Sequence, residues 1–119
     1  MNIEEYQNVM LIILTSMGVG FFLVGVLLVF FPPKTINGLY GYRTSRSMQS
    51  QEAWDFSQKY SSKIMLILGI IYTSLGILSI FLPRIEEITA SLISIGIILL
   101  GVFIMFFKTE KELAKRFDD

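Results

Sequence analysis

Arg43, Thr44, Arg46 and Ser47 crowd two guanidinium groups and two hydroxyls into five residues, a donor set suited to a lipid phosphate or a carboxylate. Glu52 and Asp55 follow at i, i+3. With the arginines holding phosphate and one carboxylate as base, this set could in principle serve a small enzyme acting on lipid headgroups. Two carboxylates on a solvated helix are more often surface charge, however, and the chain has no His and no Cys. The usual zinc, haem and thiol chemistries therefore lack their ligands. No catalytic residue is assigned, no metal or cofactor is expected, and the chain reads as a non-enzyme.

The elements that must position these donors are hydrophobic. Of 119 residues, 53% are apolar and 17% charged, below the roughly 25% charge of soluble domains. Residues 9–31, 64–82 and 88–107 contain no Asp, Glu, Lys or Arg at all. About 20 helical residues cross the roughly 30 Å hydrocarbon core, and only a helix satisfies its own backbone in a single pass through lipid. The expected fold is an all-α membrane protein, residues 1–119 forming one domain of three transmembrane helices. These features exclude a soluble enzyme, a disordered chain, a basic nucleic-acid binder and a disulfide scaffold. Residues 1–8 carry Glu4 and Glu5 but no basic residue, and Pro32-Pro33 follow the first window, so that window is expected to remain as a helix ended by the prolines.

The formal net charge is +0, and it conceals an asymmetry. Nine of the ten basic residues fall in the loop 32–63 and the tail 108–119; only Arg84 lies elsewhere. Loop and tail together hold nine basic and six acidic residues, a balance of +3, while Arg84 against Glu4, Glu5, Glu86 and Glu87 gives −3. The positive-inside rule then predicts a multi-pass membrane protein, N-terminus outside, with loop and C-terminus in the cytoplasm. The tail pairs Glu112 with Arg116 and Leu113 with Phe117 at i, i+4, which suits a short helix lying along the membrane surface.

No ionisable residue interrupts the windows, which argues against a pump or ion-coupled carrier. Small residues recur at spacings of four and seven: Ser16/Gly20, Gly18/Gly25, Gly69/Thr73/Gly76, Ala90/Ser94/Gly101. Packing of the three helices on one another is the favoured reading, and a homo-oligomer interface the other. Edge aromatics, among them Phe21, Phe30, Phe31, Tyr60 and Phe107, read as lipid-facing or interfacial bulk.

The loop carries the only Trp and three of the five Tyr. Asn37-Gly38 is a turn signal, because both residues tolerate positive φ, and Gly41 allows a second reversal or close approach. Ser47 or Ser50 can cap a helix that runs on through Ala53, Trp54, Ser57, Tyr60, Ser61 and Ile64 into the second span. From Ser50 to Leu82 this helix would be about 50 Å long, more than a bilayer requires.

In this loop Asn37, Gly38, Tyr40, Gly41, Tyr42, Arg43, Thr44, Ser47, Met48, Gln51 and Trp54, followed by Tyr60 and Lys63, keep an order that resembles the SdpI family of bacterial membrane proteins. That family is named for the immunity protein against the sporulation-delaying killing factor. Larger members often place proline directly before the asparagine, where this chain has Ile36 and carries Pro32-Pro33 earlier. The resemblance implies an integral membrane protein, not an enzyme, that protects against a secreted membrane-active toxin or bacteriocin. Its functional loop residues would be Asn37, Gly38, Tyr40, Gly41, Tyr42, Arg43, Thr44, Ser47 and Trp54, facing toxin, lipid or partner. In the named member immunity is coupled to signalling, in which the liganded protein holds a soluble repressor at the membrane. The partners this implies are the bilayer, a peptide toxin and, alternatively, a cytoplasmic regulator recruited through loop 32–63.

Overall fold

The computed structural model describes residues 3–83 and 85–118, with side chains from residue 9 onward. Arg84, Asp119 and the side chains of Glu4 and Glu5, which enter the charge asymmetry, lie outside the described residues. Among the described residues all regular structure is helical: α1 (Ile3–Phe30), α2 (Gln51–Leu78) extended by a 3₁₀ turn (Ser79–Phe81), and α3 (Glu87–Phe117). Each contains a stretch long and apolar enough to cross a membrane. The three expected windows thus become three helices, and α1 stops at Phe30, just before Pro32-Pro33.

Ser50 provides the N-cap of α2, its hydroxyl accepting from the Ala53 amide at 3.0 Å. Glu52 lies in the first turn, where a negative charge favours the helix dipole. The helix continues unbroken into its apolar half, as the sequence predicts. The tail behaves differently from expectation: no separate surface helix forms, because α3 runs as one rod of 31 residues to Phe117. At about 1.5 Å per residue that is about 46 Å, longer than the roughly 30 Å hydrocarbon core requires. The end is held by packing. Leu113 and Thr109 are fully buried, Phe117 meets Phe56 at 5.9 Å between ring centroids, and Arg116 stacks over Phe56 at 4.5 Å. Arg116 also makes the expected bond to Glu112, at 3.3 Å.

Small residues let α1 and α2 approach closely. A Cβ added to Gly69 would stand 2.6 Å from the Phe22 amide nitrogen and 2.8 Å from its Cα, and Gly18, Gly25 and Gly76 are similarly occluded by Thr73, Leu66 and Thr15. Gly101 lies under the Tyr72 phenol, whose hydroxyl donates to the Ile98 carbonyl of α3 at 2.7 Å. Met10, Leu14, Leu68, Tyr72, Ala90 and Ile98 form the core along this seam. Ser16 and Gly20 are exposed and take no part in it. Nor are all the aromatics peripheral: Phe21 packs edge-on against Tyr72 at 5.3 Å, and Tyr60 stacks on Phe56 at 5.5 Å. Ser79, Ser91 and Ser94 bond back to carbonyls of their own turns, while the buried Thr15 hydroxyl finds no partner.

The obstructing atoms at Gly69 belong to backbone and cannot rotate away, so Gly69→Val must push the two helices apart. Such overpacking costs about 1–3 kcal/mol. A fall in the thermal unfolding midpoint in detergent, against no change for Gly96→Val at an open position, is the expected result.

Candidate functional site

The segment between α1 and α2, residues 31–50, contains no helix, and side-chain bonds fix its course. Asn37 makes the first reversal as an Asx turn. Its side-chain oxygen accepts from the amides of Leu39 (2.9 Å) and Tyr40 (2.7 Å), and its amide donates to the Thr35 carbonyl (3.0 Å). The expected turn forms, but neither Asn37 nor Gly38 uses the positive φ that both tolerate; among the described residues only Gly41 does, at 102°. Gly41 also meets the second part of its expectation, close approach. A Cβ there would strike the Gln58 side-chain oxygen and come within 2.7 Å of Pro33 Cγ.

Gln58, on the second turn of α2, holds the loop as a strand partner would. Its oxygen accepts from the Tyr42 amide and its nitrogen donates to the Tyr42 carbonyl, both at 2.7 Å. Trp54 lies one turn earlier on the same face, fully buried, its indole N–H donating to the Pro33 carbonyl at 2.7 Å. Pro33 therefore serves as a contact for both Gly41 and Trp54, which gives the early proline pair a local role. Gln51 donates to the Lys34 carbonyl at 2.7 Å and to Asp55 at 2.8 Å.

The two tyrosines beside Gly41 reach different helices. The Tyr40 hydroxyl donates at 2.7 Å to the Phe31 carbonyl at the end of α1. Tyr42 turns to α3 and donates to Glu110 at 3.1 Å, and Thr44 donates to the same carboxylate oxygen at 3.0 Å. Thr44 and the fully buried Ser47 bond reciprocally, each hydroxyl accepting the other's amide, at 2.8 and 3.1 Å. Arg46 lies 4.0 Å from Glu110 and donates to Asp118 at 2.9 Å. Loop and tail, expected on one side of the membrane from their charge, are thus joined at one end of the molecule.

Burial and then the Glu110 charge hold the Tyr42 phenol protonated well above its usual range. The Arg46 hydrogen bond draws the Asp118 carboxyl below its usual value. A raised folded pKa gives Tyr42 stability that is complete below the unfolded value of about 10; a depressed one gives Asp118 stability complete above about 4 and lost on further acidification. Since the chain has no His, loop attachment should be flat between these limits. Protease cleavage of the loop measured against pH checks this, and a transition between about pH 6 and 8 would contradict it.

Arg43 differs from Arg46, its neighbour in the loop. It is exposed, and among the described residues no hydrogen bond or ion pair engages it. Together with Tyr40, Gly41 and Tyr42 it borders a cavity of about 390 Å³ whose other walls are Val24 and Leu28 of α1, Ser61 and Met65 of α2, and Met105 of α3. Of the anticipated set, then, Tyr40, Gly41, Tyr42 and Arg43 meet at a cavity, whereas Asn37, Gly38, Thr44, Ser47 and Trp54 shape the loop around it. The alternative acid–base pair is not gathered here: Glu52 is exposed, and Asp55 lies on another face. No three His, Cys, Asp or Glu converge as a metal site among the described residues. Gln58, Glu110 and Asp118 are the participants the sequence did not single out. Gln58 could have been found from its i, i+4 relation to Trp54; the pairing of Glu110 with residues 66 and 68 positions earlier left no local signal.

Three membrane-length helices with a polar loop clamped across their ends define a small multi-pass membrane protein. The chain belongs to the SdpI/YfhL protein family, whose profile matches residues 34–108, from the loop through α2 and the apolar part of α3. It is 37% identical over 93 residues to the uncharacterized protein YfhL of Bacillus subtilis (strain 168), a match covering 76% of each chain. No solved structure matches. The family relation reaches well beyond the loop residues on which the resemblance was first visible.

Proposed function

We propose that this protein is an immunity or resistance protein of the bacterial inner membrane, protecting the cell against a secreted membrane-active peptide toxin. Family membership supports the class. The observation that carries the site is Arg43, an unpaired guanidinium at the mouth of a mostly apolar cavity where the spans end. An amphiphilic peptide offers both halves of that match, a carboxylate or backbone carbonyl for the fork and apolar side chains for Val24, Leu28, Met65 and Met105. The reading involves no chemical step and no cofactor. In it the clamped end is cytoplasmic and the N-terminus outside, as the charge balance favours, so a toxin meets the site from within the bilayer.

Expression in a toxin-sensitive bacterium tests the proposal. Protection against at least one membrane-active peptide is expected, with sensitivity on deletion from the parent; neither effect across a panel of such peptides would overturn it. Because the chain has no Cys, single cysteines at Leu39 and Glu86 can report sidedness. Labelling of Leu39→Cys from outside the intact cell would reverse the orientation.

A second reading, recruitment of a cytoplasmic regulator through the loop, is favoured by Leu39, which projects 93% exposed from the Asx turn. Under it, Leu39→Asp should release a co-purifying partner and leave protection intact.

A further inference from the structure

At the same end lies a second cavity, of about 490 Å³, which shares only the Leu28 wall with the first and is otherwise unused by the immunity reading. Its floor is apolar, made by Leu28 and Val29 of α1 with Pro32 and Pro33, and its rim carries Lys34, Lys59 and Lys63. We propose that this cavity is a binding site for one anionic phospholipid, with the phosphodiester among the three ammonium groups and the upper acyl chain over Leu28 and Val29.

The charge arrangement points to an anion. All three lysines are exposed, and among the described residues none forms an ion pair. Lys59 and Lys63 stand at i, i+4 on one face of α2, a spacing at which like charges oppose the helix. The one lining carboxylate, Asp55, bonded to Gln51 at 2.8 Å, offsets one of the three charges and leaves the lining at a balance of +2. Gln51 also holds the Lys34 carbonyl, so the third lysine is kept beside the other two. The remaining polar lining groups are occupied: Gln58 by Tyr42, and the Ser62 hydroxyl by the Lys59 carbonyl at 3.0 Å. What the site leaves unmet is negative charge.

Depth selects a lipid over a soluble anion. The apolar stretch of α1 ends at Phe30, two residues before Pro32, and the charge-free part of α2 begins immediately after Lys63. The cavity therefore straddles the level at which both spans leave the hydrocarbon layer, where phospholipid phosphates reside. A soluble anion would gain nothing from the apolar floor, and Val29, 42% exposed, continues that floor onto the lipid-facing surface of α1.

Purified protein in neutral detergent, titrated with short-chain phosphatidylglycerol or phosphatidylcholine and followed by thermal unfolding, provides the test. Stabilisation by phosphatidylglycerol but not phosphatidylcholine is expected, with affinity falling about tenfold or more in K34Q/K59Q/K63Q, since several charge-assisted bonds are lost. The tail variant K108Q/K111Q/K115Q, which removes the same charge at the same end, should change it less than about twofold. Equal losses in the two triple variants would reduce the effect to general surface attraction and overturn the proposal. So would equal stabilisation by phosphatidylcholine, or by inorganic phosphate at the same concentration. Should the triple variant fail to fold, judged by Trp54 emission, K59Q alone is expected to weaken binding about threefold, and unchanged affinity there would overturn the proposal equally.

Discussion

Trp54→Ala is expected to detach the loop 31–50 while all three helices remain in the membrane. The indole is fully buried at the start of α2, and its N–H satisfies the carbonyl of Pro33, itself buried. Truncating a buried Trp costs about 3–5 kcal/mol, and an orphaned buried carbonyl about 1–3 kcal/mol more. The loop's further attachments are bonds of about 1 kcal/mol net each, and Pro33, which the indole holds, also lies against Gly41. Insertion of the helices rests instead on their charge-free stretches, which the substitution does not touch. Hydrogen exchange should therefore rise sharply across residues 35–49 and stay low in the spans. Trp54→Phe separates the two contributions: it keeps most of the volume, loses the hydrogen bond, and should give an intermediate effect. Unchanged exchange in both variants would deny Trp54 its place as the anchor.

The three spans, the stop at the prolines, the cap at Ser50 and the length of α2 were legible because each follows from local physics. A charge-free run of about 20 residues and a helix's need to satisfy its backbone leave few alternatives. Gly41 was legible too, since glycine between two tyrosines signals a conformation or an approach that other residues resist. What eluded the sequence was how polar side chains find each other across distance. Asn37 announced a turn but not its mechanism, because an Asx turn and a positive-φ turn use the same residues. By residue chemistry Arg43 and Arg46 looked alike, and only the family resemblance singled out Arg43; in the structure one is tied to Asp118 and the other is free, a distinction created by the end of α3 arriving beside the loop. The tail misled for the same reason: its amphipathic spacing suits a membrane surface as well as it suits α2, and the burial of Leu113 and Thr109, the Phe56 contacts and the bonds of Glu110 and Asp118 to the loop decide between them.

That difference between the arginines carries the most consequential expectation. Arg43→Ala should abolish protection while leaving membrane abundance, thermal midpoint and Trp54 emission at their parental values, since no hydrogen bond or ion pair within the described fold depends on it. Arg43→Lys should recover little, because an ammonium keeps the charge but not the planar fork that grips a carboxylate or carbonyl at two points. Arg46→Ala should do the reverse. Its bond to Asp118 is exposed and screened by solvent, so protection should persist, with the tail end loosened and hydrogen exchange raised near residues 114–118. The contrast excludes a simple topological role for both residues: if Arg43 only held the positive side inside, its loss and that of Arg46 would be interchangeable. Equal protection by the two variants would remove Arg43 from the site and leave the cavity beside it without a polar recognition group.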